Sequence, residues 1–504
     1  MSLGDVAIFL TALMAAFAVT MRAVGDRFHL EIPELIHFYV YVPTFLLACL
    51  TWLTRPRFLR SWPFLFAMAI PVVGLCYGES PSLGTNAVVA FYLVSGVALA
   101  ALIADRNRWR WAARVFVLVN AFLVFFIFWL NYQASNGSLR LTLIKYGYLV
   151  LSDMTKSANP NQVGAQFAFA SVVGFVVFLR SGRLILPGQT ASVLQPVSLV
   201  GDFLLSRSGT IAPQWWRFEH LQQDTVEPYT PNRRFEFGRA DWGILAGTMV
   251  CALGCVLTAS RGATLGLIVG ASAAILGSLG LQPIRRVRDF VVFAVLAFLV
   301  GTLVAATLNV NPLERLSNRI FGGEGETVVT AGSRLQIWEN AFRAWLADPV
   351  RFLVGAGTGG ADVALGKFDP GAKFDDYGTI RRSCHNIFIE WALSYGLVGI
   401  LPGVILALTV WSQAAALDRQ EFAMDRRALL LTIATLGMTG VAYRYLSWPM
   451  MAGLSLALLE FTSGTPVGTF RAPTMQPPHW VHGPGWQVQV KLPESYQPIS
   501  RWPI

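Results

Sequence analysis

About twelve uninterrupted apolar runs, most of them close to the length of a bilayer-crossing helix, constrain this chain more than any other feature. Their approximate limits are 6–22, 35–53, 62–77, 86–104, 112–130, 163–180, 242–258, 263–281, 290–309, 386–411, 428–444 and 448–463. Roughly 20 apolar residues in a helix span the hydrocarbon core of a membrane, where only helices and closed barrels satisfy their own backbone hydrogen bonds. The runs are continuous rather than alternating, which selects helices over a barrel. Only 13% of the 504 residues are charged, against about 25% in a soluble chain. The expected fold class is an all-α polytopic membrane protein with about 12 transmembrane helices. The first run lacks a basic leader and a convincing cleavage site, so it reads as a retained span.

Loop charges set the orientation, because cytoplasmic loops collect Lys and Arg. With the N-terminus inside, the inner loops hold Arg55, Arg57 and Arg60; Arg106, Arg108 and Arg110; Arg285, Arg286 and Arg288; and Arg419, Arg426 and Arg427. The 181–241 loop adds further arginines, Arg233 and Arg234 among them. The short outer loops hold only Arg27, Arg140, Lys145, Lys156, Arg261 and Arg444. Both termini are thus expected to be cytoplasmic, with a transmembrane domain over 1–463. A large extracytoplasmic loop over 310–384, between the ninth and tenth spans, carries an amphipathic helix. The proline-containing tail, 464–504, is expected to be irregular and cytoplasmic. The net charge of +10 is accounted for by this topology, so no nucleic-acid partner is expected. Five cysteines show no disulfide or zinc spacing. Cys49, Cys76, Cys251 and Cys255 read as small core residues, and Cys384 stands apart.

Five stretches invite chemistry. In "LTASRGATLG", 257–266, a turn of a few residues pins Arg261 at the outer membrane edge. It is either a snorkelling arginine or a fixed anion clamp, since the guanidinium fork matches phosphate oxygens. In "AGSRLQIWENAFRAWLADP", 331–349, Ser333 and Gln336 fit a capping box, and Asp348-Pro349 supplies a stop. Arg334, Trp338, Ala341, Phe342 and Trp345 then share one face. Arg334 falls in the first turn, where a cation is disfavoured unless an anion sits beside it. "GAGTGG", 355–360, lacks a preceding strand and a Lys-Ser/Thr, so it reads as a flexible turn rather than a phosphate loop. Asp375 and Asp376 read as a solvated loop more readily than as a divalent-cation site, and no metal is expected.

The fifth is "RRSCHNIFIEW", 381–391. Ser383 is placed to cap a helix starting near Asn386, with His385 in or beside its first turn. The helix dipole, Arg381 and Arg382 disfavour the protonated imidazole, which leaves a group able to accept a proton. Taken alone the stretch reads as an interface anchor. Glu390 lies deeper in the apolar run and needs a partner.

In order, "SANPNQVGAQF", "LTASRG", "GSRLQIWENA", "VGAGTGG" and "CHNIFIEWALSYGLVGIL" resemble the bacterial O-antigen ligase and O-antigen polymerase superfamily over roughly 157–405. The resemblance implies a lipid-substrate, GT-C-type glycosyltransferase fold in the bacterial inner membrane, with the active site facing the periplasm. It implies transfer of a glycan from an undecaprenyl-diphosphate carrier to an acceptor sugar hydroxyl. Ligases use the lipid A core as acceptor; polymerases use another lipid-linked repeat. No cofactor is implied, and other envelope polysaccharide assembly proteins are implied as partners, besides membrane lipids. Carried over by motif, Arg261 and Arg334 bind the diphosphate and His385 is the base. Asn159, Asn161, Asn386, Arg381 and Arg382 complete the candidate substrate-binding set. The long 181–241 loop is not part of the usual pattern. A lipid-linked glycan transporter fits the span count, but transporters usually hold ionisable residues near the midplane. A scaffold without chemistry leaves Arg261 and His385 without a role.

Overall fold

The computed structural model describes residues 3–28, 36–54, 62–79, 83–134, 160–181, 239–258, 260–279, 329–374, 380–416, 423–440 and 447–463. The expected span at 290–309, nearly all of the 181–241 loop, Asn159, Asp375, Asp376 and Arg444 lie outside them. Residues 1–464 form one compact unit. The second unit, 465–504, also lies outside the described residues.

The described residues form fourteen helices and one short antiparallel ladder. The first five helices are α1 (Leu3–Phe28), α2 (Ile36–Thr54), α3 (Trp62–Val73), α4 (Leu83–Leu102) and α5 (Arg106–Ala134). Then come α6 (Pro160–Ser181), α7 (Arg239–Leu257) and α8 (Arg261–Leu279). A compact segment follows: α9 (Val329–Leu346), α10 (Pro349–Val354), α11 (Ala361–Gly366), β1 (Lys373–Phe374) and β2 (Ile380–Arg381). The last three are α12 (Ile387–Ala416), α13 (Ala423–Thr439) and α14 (Trp448–Ser463). Among the described residues, two helical stretches are long and apolar enough to cross a membrane: Asn107–Leu130 and Asn161–Leu179. Seven more are apolar but shorter. That is fewer full-length stretches than the twelve expected from hydropathy.

Helix α6 lies at the centre of the bundle. Apart from Gln166 and Ser171 its sequence from Val163 to Val177 is apolar, and the whole stretch is buried, as a helix without a solvent-facing polar side requires. Glycines let its neighbours approach: Gly254 of α7 meets Phe167 of α6, and Gly174 of α6 meets Thr248 of α7. The same device joins α8 to α13, where Gly266 meets Leu436 and Gly270 meets Thr432. Small residues at helix crossings are the usual packing solution where lipid removes the hydrophobic drive between helices. These pairings make α6 and α7 antiparallel, and likewise α8 and α13. In α4 and α14, Gly96 meets Ala452 and Leu99 meets Gly453, so that pair runs parallel.

The 329–381 segment packs against the start of α12 around a small core of Ile337, Ala341, Ala344, Ala356, Leu365, Cys384 and Leu393. Two sequence expectations are corrected here. Helix α9 starts at Val329, so Ser333 lies inside it instead of capping it, and Arg334 sits in the second turn. The buried face of α9 centres on Ile337, Ala341 and Ala344, while Phe342 is exposed. Asp348-Pro349 ends α9 as expected and also starts α10, with the Asp348 carboxylate accepting from the Val350 amide at 2.9 Å.

The Gly355–Gly360 loop is largely buried and hydrogen-bonded to two helices. Gly355, Gly357 and Gly359 adopt φ of 78°, 76° and 77°, a left-handed region that glycine enters without penalty. The loop satisfies two broken helix ends. At the end of α3 the last amides step back to i−3 carbonyls, with Leu75 N to Val72 O and Cys76 N to Val73 O. The Pro71 and Gly74 carbonyls then accept from Thr358, through its hydroxyl at 2.6 Å and its amide at 3.0 Å. In α12 the chain kinks at Gly396, φ 56°. The carbonyls of Leu393 and Ser394, just before the kink, accept from the amides of Ala356 (2.9 Å) and Gly357 (2.8 Å). Unpaired helix-end carbonyls are costly when buried, so this loop is a structural wedge between α3 and α12. A Cβ at Gly357 would overlap Gly78 Cα and lie 2.6 Å from the Gly74 carbonyl oxygen. Gly357→Ala is therefore expected to cost about 3 kcal/mol from backbone overlap plus left-handed strain. Thermal unfolding of the purified protein reads this as a large drop in Tm.

An ion-pair cluster clamps the wedge. Glu79 Oε1 accepts from Arg351 Nε at 2.9 Å and Nη2 at 2.8 Å, and Lys367 Nζ reaches Oε2 at 2.8 Å. Arg351 is buried and also donates to the Ala344 carbonyl. Burial pushes the Glu79 carboxyl up, but hydrogen bonds from Lys367 and Arg351 outweigh it and hold the group below its usual range. A depressed carboxyl stabilises above its unfolded pKa of about 4.3 and stops doing so as pH falls through the lower folded value. Glu79→Gln is expected to lose about 2 kcal/mol at pH 7, less than a fully buried pair because Glu79 is partly exposed. The Tm gap between wild type and variant should close below about pH 4.

Candidate active site

The start of α12 builds the histidine's position. Asn386, not Ser383, is the N-cap: its Oδ1 accepts from the amides of Phe388 (2.9 Å) and Ile389 (3.3 Å). An amide oxygen at N-cap satisfies the otherwise unpaired first-turn donors. Ser383 instead accepts from the His385 amide at 3.3 Å, in a local side-chain turn. His385 therefore sits just outside the helix with φ 52°, the only non-glycine with positive φ among the described residues. Its imidazole is exposed, while flanking Cys384 and Asn386 are buried. This conformation turns the histidine out of the core at the point where the helix begins.

Helix α9 is tied to this turn. The Trp338 indole donates to the Cys384 carbonyl at 3.0 Å. Arg334 lies one turn earlier on the same side of α9 and is half-buried. The residue it flanks is thus hydrogen-bonded to the residue before His385.

Arg261 opens α8 and is exposed. Ser260 caps that helix: its Oγ accepts from the Ala263 amide at 3.4 Å, and its carbonyl accepts from the Thr264 amide at 3.0 Å. The Ser260 hydroxyl also donates to Asn161 Oδ1 at 2.9 Å. Gly164 lets the turn approach α6, since a Cβ there would lie 2.5 Å from Thr258 Oγ1 and 3.1 Å from Ser260 Cβ. Helix α13 links this corner to the histidine. Its Leu436 packs on Gly266 of α8, and the next residue, Gly437, packs on Ile387 at the start of α12. Arg261, Arg334, His385, Asn161 and Asn386 therefore gather at one end of the bundle.

The remaining expected residues fall differently. Arg382 Nε donates to Asp369 Oδ2 at 3.0 Å and its Nη1 to the Gly371 carbonyl at 3.2 Å. These bonds tie it to the 369–371 turn. The Arg381 backbone pairs with Lys373 in the ladder. Cys384 packs in the small core, and Cys76 is exposed beyond the end of α3 instead of buried. Glu390 is fully buried. Arg426 and Arg427, expected in an inner loop, lie inside α13, with Arg426 fully buried. No cluster of three His, Cys, Asp or Glu occurs among the described residues. Sequence reasoning missed Ser260 and Trp338. Ser260 carried a signal, a serine immediately before a helix start. Trp338 was legible only as an apolar residue, because its partner is a backbone carbonyl.

Residues 246–402 match the family model described as O-antigen ligase. The match includes Arg261, Arg334, His385 and Asn386, and it ends before α12 does. No curated protein matches the chain. The family match, over the stretch where the arginine turn, the α9 arginine and the histidine turn all lie, supports a likeness to the O-antigen ligase/polymerase superfamily.

Proposed function

We propose that this protein transfers a glycan from an undecaprenyl-diphosphate carrier to an acceptor sugar hydroxyl at the outer face of the bacterial inner membrane, as an O-antigen ligase. The observation that carries the reading is the gathering of Arg261, Arg334 and His385 at one end of the bundle by Trp338, Leu436 and Gly437. The loop charges assign that end to the outside, and the antiparallel α6–α7 and α8–α13 pairs fit the alternation this topology needs.

In the reaction, His385 takes the proton of the acceptor hydroxyl. The acceptor oxygen attacks the anomeric carbon and forms the new glycosidic bond. The old bond between that carbon and the diphosphate oxygen breaks, and its electron pair leaves on the diphosphate. Arg261 and Arg334 face that developing charge, which fixed cations stabilise more in the transition state than in the ground state. Helices α6, α8 and α12 all begin at this end, so their positive dipole ends add to the anion field. The exposed His385 meets an acceptor arriving from the aqueous side, and a lipid carrier reaches the arginines from the bilayer.

Purified protein in liposomes tests this reading, given undecaprenyl-diphosphate-linked glycan and lipid A-core acceptor. Mass spectrometry is expected to find glycan joined to the core sugar. Elongated carrier-linked glycan instead identifies the polymerase reaction, and glycan moved across the bilayer without a new bond rejects the enzyme reading for a transporter.

A further inference from the structure

Asn161 was expected to touch substrate, yet its side-chain oxygen is engaged by a serine of another helix. We infer that Ser260 and Asn161 form a positioning clasp that fixes Arg261 for the carrier diphosphate, and that Asn161 acts through Ser260 and not on the substrate. The inference rests on the glycosyl-transfer reading above.

Three observations carry it. Ser260 is buried and uses one hydroxyl twice, donating to Asn161 Oδ1 at 2.9 Å and accepting from the Ala263 amide at 3.4 Å. The same oxygen therefore caps α8 and ties α8 to the first turn of α6. Arg261 is the next residue, the first of α8. Any shift of Ser260 moves the Arg261 Cα with it, because one peptide unit joins them. Finally, Gly164 lies one turn into α6 and leaves space only for a turn that sits where Ser260 sits: Thr258, Ser260 and Ala263 all crowd its missing Cβ. A long, exposed arginine on a tight hairpin gains little catalytic value unless its backbone origin is fixed, since misplacement of about 1 Å can cost 10²-fold in rate. The clasp supplies that fixed origin from a neighbouring helix.

The test uses full-length protein in liposomes, read by two independent measurements: glycan transfer, and equilibrium binding of undecaprenyl diphosphate alone. Ser260→Ala should raise KM for the carrier-linked donor and weaken undecaprenyl diphosphate binding about 10-fold, leaving KM for the acceptor unchanged. Ser260→Thr keeps the hydroxyl and the cap, and should restore most of both. Asn161→Ala should match Ser260→Ala, and the double variant should be no worse than either single, the signature of two residues acting as one unit. Unchanged donor KM and carrier binding in Ser260→Ala overturns the clasp. So does a multiplied loss in the double variant, which assigns Asn161 a direct substrate contact. Gly164→Ala provides a variant outside the hydrogen bond: carrier binding should fall with it, and full binding there also contradicts the clasp. Wild-type protein that binds the carrier but transfers nothing rejects the glycosyl-transfer reading, while the binding comparison still decides the clasp.

Discussion

Replacing His385 by asparagine is expected to lower glycan transfer by about 10²–10⁴-fold, the range that a positioned general base contributes. Asparagine is the informative choice because His385 sits at φ 52°. Asn enters left-handed conformations more readily than most residues, so the turn and the Asn386 cap should survive. It cannot take a proton from a hydroxyl at neutral pH. Alanine removes the same base and adds left-handed strain of about 1 kcal/mol. The two variants should therefore lose similar activity, with alanine the less stable. The loss should appear in kcat, with carrier binding close to wild type, because the histidine acts on the acceptor side. An asparagine variant that transfers glycan at the wild-type rate contradicts the base assignment.

The second large effect is at Arg261. Arg261→Ala is expected to cut kcat/KM for the carrier-linked donor by about 10²–10³-fold, comparable to removing one preorganised donor from an oxyanion site. Arg261 is exposed at the start of α8, and alanine is a good helix former, so the fold should be little affected. Lysine keeps the charge but loses the planar fork that meets two phosphate oxygens at once. Arg261→Lys should recover only part of the loss. Arg334→Ala is expected to act in the same direction. Undiminished carrier binding and turnover in Arg261→Ala removes this arginine from the site.

The apolar runs were legible because a bilayer-crossing helix demands continuous apolar sequence, and each run that falls on described residues is helical over most of its described length. Helix ends were less legible. Ser383 and Asn386 are both good N-caps, and the choice turns on the left-handed backbone at His385, which no local preference signals. The Ser333–Gln336 pair fits a capping box, yet α9 extends back to Val329, a reminder that local capping signals yield to surrounding packing. The GAGTGG loop was the least legible element. Its glycines are read correctly as permitting unusual φ, but its purpose depends on carbonyls in α3 and α12 that lie far away in sequence. Arg382 illustrates the same limit, since its partner Asp369 becomes visible only once the ladder and turn are folded. The candidate residues were identifiable by chemistry and motif, and loop charges put them at one expected surface; the contacts that join them, through Trp338 and the Leu436–Gly437 pair, were not legible.

The most direct measurement is the release of undecaprenyl diphosphate during glycan transfer, made side by side with wild type, His385→Asn and Arg261→Ala in liposomes that hold donor and acceptor. Wild type should release one carrier diphosphate for each glycan joined, and both variants should lose release and transfer together. Transfer that continues in either variant, or transfer without release of the carrier diphosphate, contradicts a diphosphate-leaving reaction at this end of the bundle.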